Sequence, residues 1–171
     1  MEHLKTLDDE NKVFIHFGTD RLITVKVQNA NHNGSLYKPC GAFWSSTYTP
    51  NEEFRSEWEC FCSYNCLSEK TFEKYVLFKL EKNARILLIN SKRDFRMVAK
   101  IFPLESEQDF ETLHFLDYNK ISEHYDGIYL SKEGQAQTYF ELYGWDMESL
   151  ALFNLDVIRI IDHKGEVYGQ G

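Results

Sequence analysis

Three short stretches of the sequence carry side chains whose chemistry suits work on a bound small molecule. His16 lies in the run FIHFGTD at residues 14–20, and the run GAFWSSTY at residues 41–48 sets two aromatic rings before four hydroxyl side chains. Glu148 heads the apolar run SLALFN at residues 149–154. Aromatic rings can face a flat ligand, hydroxyls can bond its polar edge, and a fixed carboxylate can stabilise a positive charge that develops in a reaction.

Glu148 is the candidate with the clearest physical argument. Side chains alternate along a strand, so Glu148 is predicted to share a face with Leu150 and Leu152 and to point toward the core. An unpaired buried charge is costly, so this carboxylate needs a partner or a position at the edge of a cleft. Taken singly, a glutamate at a strand start is most often a surface charge, and a lone strand histidine is most often structural. The ordered occurrence of all three stretches is what favours an enzyme.

In this order, the three stretches resemble the motifs of the ADP-ribosyltransferase family. A histidine lies before Gly-Thr, a Gly-x-aromatic step is followed by hydroxyls, and ESLALFN heads the penultimate predicted strand. The resemblance is to the His-Tyr-Glu branch, the diphtheria-toxin and poly(ADP-ribose) polymerase types. It implies one domain over residues 1–171, built from two packed, mostly antiparallel β-sheets with flanking helices, and it implies NAD as the substrate.

The resemblance also implies a role for each matching residue. His16 would bond a ribose hydroxyl of NAD, and Glu148 would stabilise the oxocarbenium-like ribose as nicotinamide leaves. Glu148 would also bond the 2′-hydroxyl and help to activate the nucleophile. The carboxamide and ring of nicotinamide would be held by backbone and hydroxyl groups and by two aromatic walls. These further cofactor-binding residues are Gly18, Thr19, Phe43, Ser45, Ser46 and Tyr48.

Two departures from the family pattern affect these assignments. Phe17 stands between His16 and Gly18. One extra residue in a strand turns a side chain to the other face unless a bulge corrects it. The tyrosine of the family is replaced by Phe43 or Trp44, which keeps the stacking surface and loses the hydroxyl.

A second branch of the fold, which uses Arg-Ser-Glu, stays open as an alternative. The run WSSTY at residues 44–48 fits it loosely, as does Asp146, the acid two residues before Glu148. Arg21 would then be the arginine. The histidine branch is favoured because it matches more of the motifs.

The activity implied by the resemblance is mono-ADP-ribosyl transfer from NAD to a macromolecule, without a metal. The segment 131–146 is predicted to be a loop, and it precedes Glu148, where an acceptor would dock. Its candidate acceptor-binding residues are Tyr139, Glu141, Tyr143, Trp145 and Asp146, and the first four are expected to be exposed enough to contact the acceptor. The net charge of −8 argues against broad attachment to nucleic acid and favours a protein acceptor. By analogy alone, a compact acidic transferase resembles a bacterial or phage effector or toxin.

Two other functions are compatible with the same residues. If water takes the place of the acceptor, the protein is an NAD glycohydrolase. If the fold is kept without catalysis, it is a non-enzymatic phage or bacterial binding protein, such as an inhibitor or a decayed transferase. Binding of NAD and release of nicotinamide separate these alternatives.

The elements predicted to position these residues form an α+β pattern. Alternating or apolar runs predict strands at 13–17, 22–27, 75–80, 84–90, 127–130, 149–154 and 157–161, with a further strand through KPCGAFW. Helices are predicted at 51–66, at 92–102 with Ser91 as the cap, and at 107–124. Because strands outnumber helices and do not alternate regularly with them, the predicted fold class is α+β.

Composition predicts a cytoplasmic protein, with delivery into a host or target cell as an extension of that expectation. The hydrophobic fraction of 43% is typical of a globular domain, and no stretch reaches the length of a membrane span. The N-terminal run MEHLKTLDDE is too acidic and polar for a secretory signal. We therefore expect no association with a membrane.

The cysteines of the run CFCSYNC suggest a zinc site or a row of core thiols. The C-x-C-x₃-C spacing lacks the paired C-x₂-C clusters of a strong zinc site. In a helix, Phe54, Trp58, Cys62 and Cys66 would recur on one face, as small buried thiols do. The core interpretation is favoured.

Overall fold

A mixed β-sheet forms the centre of the computed structural model, which describes residues 4–18, 22, 27–29, 38–50, 52–67, 72–104 and 115–164. In chain order the strands in these ranges are β1 (Val13–Phe17), β2 (Gln28–Asn29), β3 (Pro39–Cys40), β4 (Phe43–Thr47), β5 (Tyr75–Leu80), β6 (Ile86–Ile89), β7 (Gly127–Leu130), β8 (Ser149–Leu152) and β9 (Ile158–Lys164). Seven of them form one sheet in the spatial order β6-β7-β8-β4-β1-β5-β9, and β2 pairs with β3.

The pairing of the strands agrees with the predicted class. Within the seven-stranded sheet as described, β6 and β7 are parallel and the other neighbours are antiparallel. The α+β class and the mostly antiparallel pairing are therefore confirmed. The prediction of two packed sheets is corrected, because β1 pairs with β4 through Phe14–Thr47 and Ile15–Ser46 and so joins both halves into one large sheet. The other sheet has two residues in each strand.

The helices of the described residues begin at side-chain caps. They are α1 (Glu57–Tyr64), α2 (Lys92–Ile101), α3 (Tyr118–Ser122) and α4 (Lys132–Thr138). In each case the side chain of the capping residue accepts a hydrogen bond from the N–H three residues later, which satisfies one of the free donors of a first turn. The caps are Ser56, Ser91, Asp117 and Ser131. The predicted cap Ser91 and the helix that follows it are confirmed.

Helix α4 lies in the segment 131–146, which the sequence predicts to be a loop. Gly134 lowers the intrinsic helix propensity of this segment by about 1 kcal/mol relative to alanine. The glycine is required by packing, because a Cβ at this position would overlap the backbone carbonyl of Ile89 at the end of β6. A tertiary contact that the local pattern does not contain therefore decides this helix.

Helix α1 is shorter than the predicted helix 51–66 and buries only part of the predicted face. Cys62 is buried, whereas Cys66 is exposed and Trp58 is 37% exposed. Among the described residues, no group of three histidine, cysteine or acidic side chains could hold a metal ion. No described helix combines the length and the apolar character needed to cross a bilayer.

Two other predicted elements fall partly outside the described residues. Of the predicted strand 22–27, only Leu22 and Val27 are described, and both are buried. The predicted helix 107–124 includes residues 107–114, which lie outside the described ranges, and α3 occupies part of the remainder.

The core is divided between the two faces of the large sheet. On one face, side chains from both halves of the sheet form a cluster that includes Phe14, Phe43, Phe78, Tyr129, Leu150 and Leu152. On the other face, the strands and α2 enclose a cluster that includes Leu87, Ile89, Phe95, Val98, Ile128 and Ala151. Alternation along β8 thus sends Leu150 and Leu152 to the first face, which is the face predicted for Glu148.

Candidate active site

The carboxylate of Glu148 is buried and held by the opposite strand. The side chain is 6% exposed, so the prediction that it points with the core is confirmed. Strands β4 and β8 pair with Ser45 opposite Leu150, and this register brings Thr47 beside Glu148. The Thr47 N–H donates to the two carboxylate oxygens at 3.1 and 3.3 Å, and the Thr47 hydroxyl donates to Oε1 at 2.6 Å. The carboxylate is therefore fixed by a residue on a rigid strand.

Burial raises the pKa of Glu148. The hydrogen bonds from Thr47 and Tyr129 and the charge of Lys12 oppose this shift by favouring the ionised form. None of the ion pairs between described residues includes Glu148. A carboxylate whose pKa is raised by burial in this way is a candidate functional group.

Glu148 lines a polar cavity of about 670 Å³, which we call the carboxylate cavity. Its wall combines the ends of β4, β7 and β8 with α1 and the start of α4. Residues from these elements include Thr47, Tyr129, Glu148, Glu57, Cys60 and Lys132. Lys132 bonds Glu57 at 2.5 Å and thereby ties α4 to α1 beside the cavity.

A second cavity, of about 390 Å³, lies on the other side of the same segments, and we call it the tryptophan cavity. Three indole rings line it, from Trp44 on β4, Trp58 on α1 and Trp145 before β8. Trp44 and Trp145 pack edge to face with their centroids 4.7 Å apart. The polar groups of the wall include His16 and Ser46. An aromatic cavity of this size with a few polar groups is typical of a site for a small planar ligand.

His16 lies at the inner edge of the tryptophan cavity in a defined protonation state. Its Nδ1 is 2.6 Å from the carbonyl oxygen of Trp44, and a carbonyl only accepts, so Nδ1 carries the hydrogen. In the neutral ring, which burial favours by lowering the pKa of His16, Nε2 is an acceptor, and it is buried without a hydrogen-bond partner among the described residues. The ring stacks on Phe43 with centroids 4.1 Å apart. Burial lowers the pKa of His16, and the hydrogen bond to the Trp44 carbonyl offsets only part of this shift.

The buried neutral imidazole predicts that stability falls with acidification. Below pH 6.5, the ordinary pKa of histidine, His16 is protonated in the unfolded chain but stays neutral in the folded protein until the pH reaches its lowered pKa. The stabilisation is therefore complete above pH 6.5 and is lost as the pH falls below that value. We expect urea denaturation to show a lower free energy of unfolding at pH 5.5 than at pH 7.5.

The variant His16→Asn isolates this contribution, because asparagine keeps an N–H for the Trp44 carbonyl and does not titrate. Its free energy of unfolding should depend less on pH than that of the wild type. The exposed His163 supplies the control variant His163→Asn. Equal pH dependence in His16→Asn and the wild type would contradict the assignment.

The other predicted cofactor-binding residues have mainly structural contacts. Phe43 is 8% exposed and packs against Phe78 in the core, and it lines neither cavity. The hydroxyls of Ser45 and Ser46 donate to the backbone carbonyls of Leu150 and Glu148, and both serines line the tryptophan cavity. These two hydroxyls are thus already engaged in holding β4 to β8.

The ends of β1 and β4 carry the remaining predicted residues. Gly18 follows β1 with a φ of 96°, a conformation that favours glycine, and its N–H donates to the Lys74 carbonyl. The N–H of Tyr48 donates to the carbonyl of Val13, and this tyrosine lines neither cavity. Thr19 and Arg21 lie outside the described residues.

The structure places His16 and Glu148 in different cavities. The two cavities share no lining residue, but consecutive residues line opposite sides at three places. These places are Ser46 and Thr47, Met147 to Ser149, and Glu57 and Trp58. The end of β4, the start of β8 and the first turn of α1 therefore border both cavities, and we call these segments the partition.

The predicted acceptor residues divide into exposed and buried groups. Tyr139 and Tyr143 are 49% and 60% exposed. The expectation that Trp145 is exposed is wrong, since it is 2% exposed and packs on Trp44. Glu141 pairs with Lys92, and Asp146 lies 4.0 Å from the Lys38 ammonium at the tryptophan cavity. The first of these ion pairs joins α2 to the segment after α4, and the second lies at the wall of the tryptophan cavity.

Most residues that line the two cavities were not among the sequence-based candidates. Those that matter most for the chemistry of the site are Lys12, Thr47, Trp58 and Tyr129. Thr47 lies inside the run GAFWSSTY, and only the pairing register of β4 and β8 distinguishes it from its hydroxyl neighbours. Tyr129 lies in the middle of the apolar run GIYL, where no local signal separates a site residue from a core residue.

Comparison with known proteins adds no assignment to this geometry. The chain matches no family model, no curated protein and no solved structure. What the site can do follows from its own chemistry. A buried, oriented carboxylate can stabilise a cationic centre or accept a proton, and an aromatic chamber beside it can hold a planar ring.

Proposed function

We propose that the protein binds NAD and transfers its ADP-ribosyl group to a macromolecular acceptor, and that the acceptor is a protein. The observation that carries the proposal is the Glu148 carboxylate, which is buried, fixed by Thr47 and open to a cavity. Support for a planar, ring-containing substrate comes from the three indoles of the neighbouring tryptophan cavity. The resemblance of the three sequence stretches to ADP-ribosyltransferases is the reason to propose that this ring is nicotinamide.

The proposed reaction breaks the bond between C1′ of the ribose and N1 of nicotinamide. The bonding electron pair goes to N1, so the positively charged pyridinium leaves as neutral nicotinamide and the charge moves to the sugar. Glu148 stabilises this cationic sugar. The nucleophile of the acceptor then bonds to C1′, and the carboxylate of Glu148 accepts its proton.

The tryptophan cavity has the size and polarity for the leaving group. Its volume of about 390 Å³ lies in the range of small-molecule sites. The indoles of Trp44 and Trp58 offer flat apolar surfaces, which suit an uncharged aromatic ring after departure. The Nε2 acceptor of His16 suits a ribose hydroxyl, which would donate to it and satisfy a buried polar atom.

Turnover in this scheme requires the partition between the cavities to open. A nucleotide with its ring among the indoles must also reach Glu148, and the first turn of α1 carries both Trp58 of the tryptophan cavity and Glu57 of the carboxylate cavity. Trp58 is 37% exposed, and within α1 only Cys62 is buried. A helix that buries so little of its surface can move at low cost. We therefore place the adjustment to NAD in α1.

Nicotinamide release is the direct test of the proposal. Purified protein is incubated with NAD alone and with a cell extract, nicotinamide is measured by chromatography, and modified proteins are found by intact mass. We expect release that is stimulated by extract, together with a protein that gains the mass of one ADP-ribosyl group. Calorimetry with NAD reports binding separately.

The other outcomes each identify a different function. Rapid release that extract does not stimulate means hydrolysis, for which the polar, open carboxylate cavity would admit water. Absence of NAD binding and of release overturns the proposal and leaves a non-enzymatic binding protein. Modification of added nucleic acid instead of protein would contradict the acceptor class.

A further inference from the structure

We propose that Tyr129 and Lys12 are positioning residues for Glu148, joined to it through Thr47 by hydrogen bonds that all run toward the carboxylate. Lys12 Nζ lies 3.3 Å from the Tyr129 hydroxyl, and that hydroxyl lies 3.2 Å from Thr47 Oγ1. Thr47 Oγ1 lies 2.6 Å from Glu148 Oε1. The effect of these hydrogen bonds on catalysis rests on the proposed function, whereas their effect on the ionisation of Glu148 does not.

The direction of each bond follows from the hydrogens available. An ionised carboxylate only accepts, so the single hydrogen of the Thr47 hydroxyl is committed to Glu148. In the contact between Tyr129 and Thr47, the phenol must then be the donor. An ammonium only donates, so Lys12 donates to the phenolic oxygen.

The series of hydrogen bonds is held rigidly at Tyr129. Tyr129 is 5% exposed, and its ring packs edge to face on Phe14 with centroids 5.8 Å apart. Its position on β7, opposite Leu150 of β8, fixes the distance between its hydroxyl and the start of β8. The Lys12 ammonium lies 5.1 Å from the centroid of the same ring and so contacts its face as well as its hydroxyl. Donors held in this way stabilise a charge without reorganising during a reaction.

Among the charged groups around the carboxylate cavity, Lys12 is the cation that acts on Glu148. The titratable residues that line the carboxylate cavity with Glu148 are Lys12, Glu52, Glu53, Glu57, Cys60, Tyr64, Tyr129, Lys132 and Glu133. The acids among them disfavour a further negative charge, and Lys132 is already paired with Glu57. Lys12 is the cation whose charge lowers the pKa of Glu148. The hydrogen-bonded series from Lys12 through Tyr129 and Thr47 to Glu148, which we call the relay, therefore opposes the upward shift that burial causes in the pKa of Glu148.

The test compares Tyr129→Phe and Lys12→Met with the wild type. Tyr125→Phe is the matched control, since this half-buried tyrosine packs against the other core cluster. For Tyr129→Phe we expect kcat for nicotinamide release to fall about tenfold, the factor expected for one hydrogen bond to a charged group. KM for NAD should stay within about twofold, because Tyr129 is not placed in the tryptophan cavity. The acidic limb of the pH–rate profile should move upward by about half a pH unit or more.

A second measurement does not depend on turnover. Carbon NMR of protein labelled at the glutamate carboxyl carbons follows the titration of Glu148, whose signal is assigned by its loss in Glu148→Gln. We expect this titration to move to higher pH in Tyr129→Phe and Lys12→Met and to stay unchanged in Tyr125→Phe.

The kinetic assay and the NMR titration test the relay and the proposed function separately. A Glu148 titration at the wild-type position in both variants would overturn the relay, whatever the activity. A shifted titration in a protein that does not release nicotinamide would support the relay and overturn the transferase. A shifted titration together with a lower kcat and an unchanged KM would support both.

Discussion

Glu148→Gln is expected to reduce nicotinamide release by a factor on the order of 10²–10³ while NAD still binds. Glutamine has the same shape and still accepts from Thr47, but it lacks the negative charge that would stabilise the cationic ribose and cannot take the proton of the acceptor. The loss should therefore appear in kcat, with the Kd for NAD within about threefold of the wild type. Stopped assays of nicotinamide and calorimetric titration with NAD provide the two values.

Glu148→Gln is expected to keep its fold, because burial already disfavours the charge of the carboxylate that is replaced. Burial raises the pKa of Glu148, so a neutral amide relieves part of the desolvation cost. The matched control is Glu133→Gln, which removes an exposed carboxylate from the rim of the same cavity. Wild-type release in Glu148→Gln, or an equal loss in both variants, would remove Glu148 from its proposed role.

Gly134→Ala is expected to destabilise the protein by about 1–3 kcal/mol, although alanine is the better helix former. The added Cβ would overlap the carbonyl oxygen of Ile89 and lie 3.1 Å from Cδ1 of Leu130. Backbone atoms of a strand cannot yield as a flexible side chain can, so α4 must move away from the end of β6. Urea denaturation of the wild type and the variant measures the change.

Ala136→Gly is the control within the same helix. Ala136 is exposed, so this substitution should cost about 1 kcal/mol through helix propensity alone. A stabilised Gly134→Ala would show that α4 does not pack closely on β6. Because α4 carries Lys132, which ties it to α1 at the carboxylate cavity, loss of stability here should also reduce turnover.

Local patterns were sufficient for the elements that depend on nearest neighbours. The alternation of VFIHF predicts β1 with its observed bounds, and the apolar run GIYL predicts β7. Ser91 followed by an amphipathic run predicts α2 because a cap and a stripe of apolar side chains are both local signals. The buried position of Glu148 follows from alternation too, since Leu150 and Leu152 lie on the same face of β8.

Where local and long-range preferences conflict, the sequence misleads. Gly134 and the polar residues around it indicate a loop, but the approach of α4 to Ile89 makes glycine the residue that fits. Trp145, four residues before β8, was expected at the surface beside the exposed tyrosines and instead packs on Trp44 of a distant strand. These outcomes depend on contacts between residues far apart in the chain.

The sequence by itself determined the α+β class, most of the strands and the candidacy of Glu148, because period-two alternation and capping are properties of adjacent residues. Only the tertiary structure decided which partners Glu148 has. Strand register selects Thr47 among four neighbouring hydroxyls, and β7 supplies Tyr129 from a run with no polar signature. The same packing assigns His16 and Glu148 to separate cavities on either side of one partition. Register and packing are long-range quantities, and a carboxylate acquires its environment only when distant strands meet.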